Sequence, residues 1–449
     1  MENFFKLREN NTNVRQEIMA GITTFLTMAY IIAVNPDILS ATGMDKGALT
    51  TATCLAAGLT TILMGVYANL PFALASGMGL NAFFAFSVVL GKGISWETAL
   101  TAVFIEGIIF IILSLTKVRE AVVTSIPLNM KLAVTAGIGM FIAFIGLVGS
   151  GIVVNNDSTL VSMGSFTSVP VIITCIGILV IAILYKLGIK GALLIGIVVC
   201  TIIAWIYALI NPDVAAEQAI YLPNGIFQIH SIAPIAFKLD FSFFGSGSAL
   251  MSFVIVCFTF LFVDFFDTVG TLIGVATKAN MLDKDGNIPN VRKALLTDAI
   301  GTTGGALLGV STVTTYVESS AGVAEGGRTG LTAVVAGVLF LVAIIFGPLF
   351  MAIPSCATAP ALIMVGFFMM ENVTKINFTD FTEGIPAFLT IIFMPLTYSI
   401  GDGLTVGILS YVVLNLLYNA FAKKNSEKKK ISIVMIVLAV IFIIKLIVA

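Results

Sequence analysis

The stretch VDFFDTVGTLIGVA (263–276), read with its downstream companion GVSTVTTYVESSAGVAEGG (309–327), decides what kind of chain this is. The first is long and apolar, yet it carries Asp264 and Asp267 one helical turn apart. The second is too short, too rich in Gly, Ser and Thr, and too β-branched in its first half for an ordinary spanning helix, and it holds Glu318. An ionised carboxylate at mid-bilayer costs roughly 2.5–3.5 kcal/mol even on insertion scales, so three such groups imply a partner or a use. The use they suit is binding a small polar solute and handling its coupling ion.

Around these stretches the composition is that of a polytopic membrane protein: 58% of the 449 residues are hydrophobic, 10% are charged, and the mean hydropathy is +1.08. Apolar segments fall near 18–36, 48–69, 72–90, 96–115, 132–151, 169–186, 190–210, 248–276, 293–309, 310–325, 330–350, 356–371, 384–400 and 403–421, which makes fourteen spans. A further apolar run, 431–449, follows the basic stretch KKNSEKKK, and the sequence does not decide whether it crosses or lies against the bundle. No cleavable signal peptide is expected, because the first apolar run continues from Met19 through Tyr30 into the polar end Asn35-Pro36-Asp37.

With the N-terminus inside, 19 of the 23 basic residues fall at cytoplasmic ends and loops; Lys46, Lys92, Lys238 and Lys445 are the exceptions. The outer loops 152–168 and 211–247 share one lysine. This bias supports both the orientation and the even count; a multi-pass protein of the cell's inner (plasma) membrane with a cytoplasmic N-terminus is expected.

Fourteen spans invite a search for halves. VPVIITCIGILVIAILYKLGIKGALLIGIVV (169–199) and IPAFLTIIFMPLTYSIGDGLTVGILSYVV (385–413) match in length and in their polar break, and both occupy spans six and seven of a set of seven. Spans three (PFALASGMGLNAFFAF, 71–86) and ten (309–325) are likewise matched, each short and interrupted by small residues. Because seven is odd, the second copy enters from the opposite side. Gly77, Gly79 and Ser311–Thr315 point to non-helical backbone at membrane depth, where facing extended pieces can pair and nearby helix starts can offer N–H groups.

Several residues are candidates for the site. Glu318 can accept two parallel hydrogen bonds from a planar ring that presents N–H beside an exocyclic amine. Asp264 and Asp267 share one face of span eight. Two charges that close cannot both stay ionised cheaply, so one is read as taking and releasing a proton. Asp264 is assigned to ion or substrate and Asp267 to a supporting network. Asn81 either braces the break or meets the ligand, and Thr315 lies in the extended piece. Phe83, Phe84, Phe86, Phe265 and Phe266 could include a ring that stacks on a flat solute. Glu106 and Asp298 are read as structural or relay groups, and Glu325 and Arg328 as shaping the cytoplasmic end of span ten. The lone His230, in an outer loop, has nothing beside it in sequence to make it a ligand or a base.

The negative signs are as useful. A net charge of −1 argues against nucleic acid, and Cys54, Cys175, Cys200, Cys257 and Cys356 are scattered as small core residues rather than as disulfides or a metal site. No nucleophile elbow, P-loop, zinc motif or dinucleotide fingerprint is present, so neither enzymatic activity nor a cofactor is expected. No stretch is long enough for a nucleotide-binding domain, which leaves an ion gradient or facilitated transport.

GITTFLTMAYIIAVNPDIL (21–39), ASGMGLNAFFA (75–85), FLFVDFFDTVGTLIGVA (260–276), TYVESSAGVAEGGRTGLTAV (315–334) and FMPLTYSIGDG (393–403) together resemble the nucleobase–cation symporter-2 superfamily, in its AzgA-like branch of guanine/hypoxanthine and adenine permeases. The resemblance covers residues 1–421. It implies fourteen spans in two inverted sets of seven (a UraA-like fold), with short strands opening spans three and ten. It implies a core domain (1–117 and 248–351) that moves against a gate domain (118–247 and 352–421), leaving 422–449 as a basic loop with an extra hydrophobic segment. The substrate would lie between the strands and span eight, transport would be coupled to protons, and a homodimer would form through gate surfaces within the lipid.

By position, the span-eight acids of the family fall on Asp264 and Asp267, the span-ten glutamate on Glu318 and the span-three asparagine on Asn81. The uracil and xanthine branches usually carry a glutamate, sometimes with a histidine, in span eight; aspartates and no histidine stand here, as in the purine-specific branch. A same-fold anion carrier is the alternative, but three acids would meet its substrate with like charge. A channel or membrane-embedded enzyme is less favoured still, for want of repeated pore rings or a reactive constellation.

Overall fold

The computed structural model describes residues 2–115, 126–245, 247–278, 281, 290–422 and 428–448. The first span is two helices rather than one, α1 (Val14–Met28) and α2 (Ile31–Ser40), with a break at Ala29-Tyr30. A return follows through α3 (Lys46–Leu63), whose last turn widens over Met64–Ala68 before Asn69 adopts a left-handed backbone, φ 54°. Strand β1 (Leu74–Ser76) leads directly into α4 (Met78–Ala82), and α5 (Trp96–Leu115) closes this section.

Next come α6 (Leu128–Gly149), a hairpin of β2 (Val153–Asn156) and β3 (Leu160–Met163), and the pair α7 (Val169–Lys186) and α8 (Ala192–Ile210). The second half opens with α9 (Gly247–Lys278), about 48 Å long at 1.5 Å per residue and so longer than the bilayer is thick. It continues through α10 (Val291–Leu308), β4 (Val313–Thr315), α11 (Ser319–Ala324) and α12 (Gly330–Ala343). It ends in α13 (Ser355–Met370), α14 (Phe381–Leu396), α15 (Ile400–Phe421) and α16 (Ile433–Val448).

Among the described residues, eight helices are long and apolar enough to cross a membrane, and shorter apolar helices cover Met78–Leu90, Gly330–Ala343 and Phe381–Leu396. The protein is therefore a multi-pass, essentially all-helical membrane protein whose short strands serve particular places.

Helix packing falls into two sets. In one, α12 lies on α1 and α3, α10 on α5, and α9 on α5. In the other, α13 lies on α6 and α7, α14 on α6 and α15, and α8 on α7. Close approach depends on glycine, as expected where lipid offers no hydrophobic drive between helices. The antiparallel pair α3 and α12 touches backbone to backbone at two places: a Cβ on Gly65 would sit 2.3 Å from the Gly330 carbonyl oxygen, and one on Gly337 2.7 Å from that of Gly58. Gly65→Ala should lower the unfolding midpoint, costing about 1–3 kcal/mol as overpacking does. An unchanged melting curve in detergent would mean that this contact is not tight.

The C-terminal run is helical and lies along α15 and α9. Its Met435, Leu438, Ala439 and Phe442 are buried while Ile433, Val437, Val440 and Leu446 face outward, and the Phe442 ring meets Phe258 of α9 at 5.9 Å. At about 24 Å it is shorter than the hydrocarbon layer. The strap before it is anchored by Lys429, which pairs with Asp380 and, at 3.5 Å, with Glu383. The Lys429 hydrogen bond holds the Asp380 carboxyl below the ordinary carboxylate range, and the same bond raises the Lys429 ammonium.

Candidate functional site

The two interrupted segments meet. β1 and β4 pair antiparallel in the register Leu74↔Thr315, Ala75↔Thr314 and Ser76↔Val313, extended by Gly77 N–H to Thr312 O (2.9 Å) and Tyr316 N–H to Ala73 O (3.0 Å). Two three-residue strands leave outer polar groups that lipid cannot satisfy, and neighbouring spans satisfy them. Thr61 of α3 both donates to Leu74 O (3.0 Å) and accepts from Leu74 N–H (2.9 Å). Thr302 of α10 donates to Val313 O (3.0 Å), Ser319 Oγ accepts from Ala73 N–H (3.0 Å), and the Tyr316 hydroxyl donates to Ser76 O. Each strand then runs into a helix, and because the strands are antiparallel the helices leave in opposite directions.

Glu318 stands at the residue before α11, with no side-chain bond to the helix's first N–H groups. Its Oε1 accepts a 2.7 Å hydrogen bond from the hydroxyl of Tyr30, at the break of the first span, and Thr27 Oγ1 approaches the Glu318 carbonyl oxygen at 3.5 Å. Asn81 lies in the first turn of α4, where its N–H bonds Gly77 O (2.8 Å). Its side chain is fully buried, and neither end of the carboxamide has a hydrogen-bond partner. The hydroxyls of Ser76, Ser311 and Thr315 are buried and unpartnered in the same way. A buried polar group left unpaired costs about 1–3 kcal/mol, so this concentration around one strand crossing is unusual for purely structural residues. Phe83, 2% exposed, packs edge-on against Phe260 of α9 at 5.0 Å.

Beneath the strands lies a second polar layer. Thr268 Oγ1 is 2.9 Å from Asp298 Oδ2, 3.3 Å from Asp264 Oδ1 and 3.1 Å from Thr314 Oγ1 of β4. One hydroxyl proton serves one acceptor, so Thr268 can donate to a single carboxylate; the other contact is a hydrogen bond only when that carboxyl carries its own proton. Glu106 of α5 joins the layer by accepting from Thr312 Oγ1 at 3.3 Å. Asp264, Asp298 and Glu106 are all fully buried. Asp267, Phe265 and Phe266 belong to α9, but their side chains lie outside the described residues.

The α4 side of the crossing faces the other helix set. A Cβ on Gly79 would meet Ile138 Cγ2 of α6 at 2.5 Å. Just beyond, Ser87 donates to the carbonyl of Tyr398, a ring that also lies against Phe86, Phe141 and Phe144. The sets are also tied at two further places. Asp37 accepts from Ser355 (3.0 Å) and Thr358 (3.0 Å) at the start of α13, and Lys190 pairs with Glu325 at the end of α11. Two cavities lie away from the strands. One of about 540 Å³ is bounded by Thr98, Asp240, Ser242 and Phe253; another of about 450 Å³, almost wholly apolar, lies between Phe25, Trp205 and Val342.

Sequence reasoning missed Tyr30, Thr268 and Glu17. Thr268 stands one turn from Asp264, and that spacing was a usable signal. Glu17 is fully buried in α1 and accepts from the N–H groups of Arg328 (2.9 Å), Thr329 (3.3 Å) and Thr332 (3.1 Å) and from the Thr332 hydroxyl (2.6 Å), at the start of α12. Arg328 turns its own guanidinium onto the carbonyls of Val323 (2.7 Å) and Gly327 (2.8 Å). His230 is tucked between Gly47 and Gly347, its Nδ1 buried and unpartnered.

A family model described as "Permease family" matches residues 15–405. The chain is 41% identical to adenine permease AdeP of Escherichia coli (strain K12), over 100% of this chain and 96% of that protein. It is 43% identical to guanine/hypoxanthine permease PbuO of Bacillus subtilis (strain 168), over 98% and 99%. Among solved structures, the transmembrane domain of a cyanobacterium bicarbonate transporter, BicA, superposes with a TM-score of 0.66 at 17% identity, covering 88% of this chain and 97% of that one. At that identity the likeness concerns the fold alone.

Proposed function

The chain belongs to the permease family, in the AzgA-like branch of the nucleobase–cation symporter-2 superfamily, and on that membership we propose that it imports an uncharged purine base by proton symport. Guanine and hypoxanthine are the leading substrates and adenine the next. As a secondary transporter of this family it moves its solute rather than transforming it. The observation that carries the reading is a Glu318 carboxylate held by Tyr30 beside the strand crossing, where Asn81 and Thr315 are buried without partners. Glu318 reads the N–H edge of the ring, Asn81 and Thr315 meet its carbonyl and ring nitrogens, and Phe83 packs on its face. Asp264 takes the proton, with Asp267 supporting it, and Thr268 links Asp264 to Asp298 and, through Thr314, to the strand.

The architecture is read as fourteen spans in two inverted sets of seven, with the N-terminus cytoplasmic. The packing supports this, since exchanging each span for the one seven places away maps α3 on α12 onto α10 on α5, and α14 on α6 onto α13 on α7. Thr61 and Thr302, which bond β1 and β4, are related by the same exchange. The set built from α1–α5 and α9–α12 is the core (1–117 and 248–351), and that built from α6–α8 and α13–α15 is the gate (118–247 and 352–421). The core carries the site past the gate, which forms the homodimer contact.

Uptake of labelled guanine, hypoxanthine, adenine, xanthine and uracil in cells lacking their own permeases, with and without a protonophore, tests the reading. Accumulation of guanine and hypoxanthine should collapse to equilibrium when the proton gradient is removed, and Asp264→Asn should abolish it with the gradient intact. Each 1.4 kcal/mol of coupled gradient supports about tenfold accumulation, so the loss is large. Accumulation above equilibrium in the presence of protonophore would end the proton assignment. The fold shared with a bicarbonate transporter makes an anion carrier the second reading; saturable uptake of labelled bicarbonate with no purine uptake would establish it.

A further inference from the structure

We propose that Tyr30 is a positioning residue for the substrate, pinning one oxygen of Glu318 so that the other is presented to a purine N–H; this rests on the purine reading above. The first span breaks at Ala29-Tyr30, between α1 and α2, and Tyr30 is fully buried there. The break carries its hydroxyl 2.7 Å from Glu318 Oε1, in the other half of the molecule. Glu318 makes no ion pair among the described residues, and the Tyr30 hydroxyl is the side-chain group that hydrogen-bonds its carboxylate.

A carboxylate has two oxygens and about four lone-pair directions. Tyr30 takes one direction on Oε1, which restrains the group and leaves other lone-pair directions for a ligand. A ligand offering a single N–H beside its carbonyl, as hypoxanthine does, gains from an acceptor already aimed. Guanine offers an N–H and an adjacent amino group, and two parallel bonds align the carboxylate by themselves. The tyrosine is therefore worth more to the ligand with one donor than to the ligand with two, which makes it a device for accepting both.

The test is Tyr30→Phe, which keeps the buried ring and removes the hydroxyl, with KM and kcat measured for hypoxanthine and guanine uptake. KM for hypoxanthine should rise about tenfold and that for guanine about threefold or less, with kcat for both within about twofold, since one hydrogen bond to a charged group is at stake. A general packing defect would move both substrates equally or lower kcat, and either result, or no change in the KM ratio, overturns the proposal.

If Tyr30→Phe is not recovered folded, Tyr30→Met, which also lacks the hydroxyl, carries the test: its hypoxanthine-to-guanine KM ratio should rise about threefold or more over the wild-type value, and an unchanged ratio overturns the proposal. Glu318→Gln separates the two levels. Unchanged purine KM in that variant removes the site reading itself, whereas lost binding there with an unaltered ratio in Tyr30→Phe removes Tyr30 alone.

Discussion

Glu318→Gln is expected to weaken guanine and hypoxanthine binding by about 10–100-fold, the worth of a hydrogen bond to a charged acceptor in a site closed to water. The substitution is nearly isosteric, and Tyr30 can still donate to the amide oxygen, so the geometry at the start of α11 should persist. What changes is the second position. A group that only accepted becomes a donor aimed at the ring's own N–H, so a bond turns into a clash of like dipoles. Equilibrium binding of labelled hypoxanthine to the purified protein reads this without the complications of coupling. Wild-type affinity in that variant would take Glu318 out of the site, and the assignment of Asn81 and Thr315 would lose its anchor.

The second large effect is on stability. Glu17→Leu should lower unfolding free energy by at least about 3 kcal/mol, because three backbone N–H groups and one hydroxyl lose their shared acceptor, at about 1–3 kcal/mol for each buried donor left unpaired. The carboxylate also faces the positive end of α12, and that attraction goes with it. Glu17→Gln retains an acceptor oxygen and should lose less. Thermal unfolding in detergent measures both, and a Glu17→Leu protein that melts with the wild type would show that water or rearranged backbone replaces the cap at no cost.

Much of the architecture was legible because interruption leaves a compositional trace. Gly77, Gly79 and the run of Thr and Ser from 311 to 315 are poor helix formers in an otherwise apolar chain, and β1 and β4 lie within those stretches. The break at Ala29-Tyr30 left no such trace. No glycine or proline stands there, while Pro36, which would suggest a break, lies inside α2. Glu17 was passed over because an acid at the edge of a first apolar run reads as solvated; only the tertiary approach of residues 328–332 turns it into a buried cap. The hairpin β2–β3 has strands of only four residues and is local to its loop, and a span-length hydropathy reading is blind to it. Among the described residues, eight helices are long and apolar by this measure, and the segments that carry β1 and β4 are not among them.

The strand crossing also constrains how the protein is made. Ser76 and Tyr316, which bond across it, are 240 residues apart in the chain. During synthesis the first half enters the bilayer with β1 unmatched, its amides waiting for a partner that the ribosome has not yet delivered, and such distant pairings form slowly. The crossing is therefore completed only once the second half has been made, and a chain cut short before residue 313 lacks it, however well its earlier helices insert.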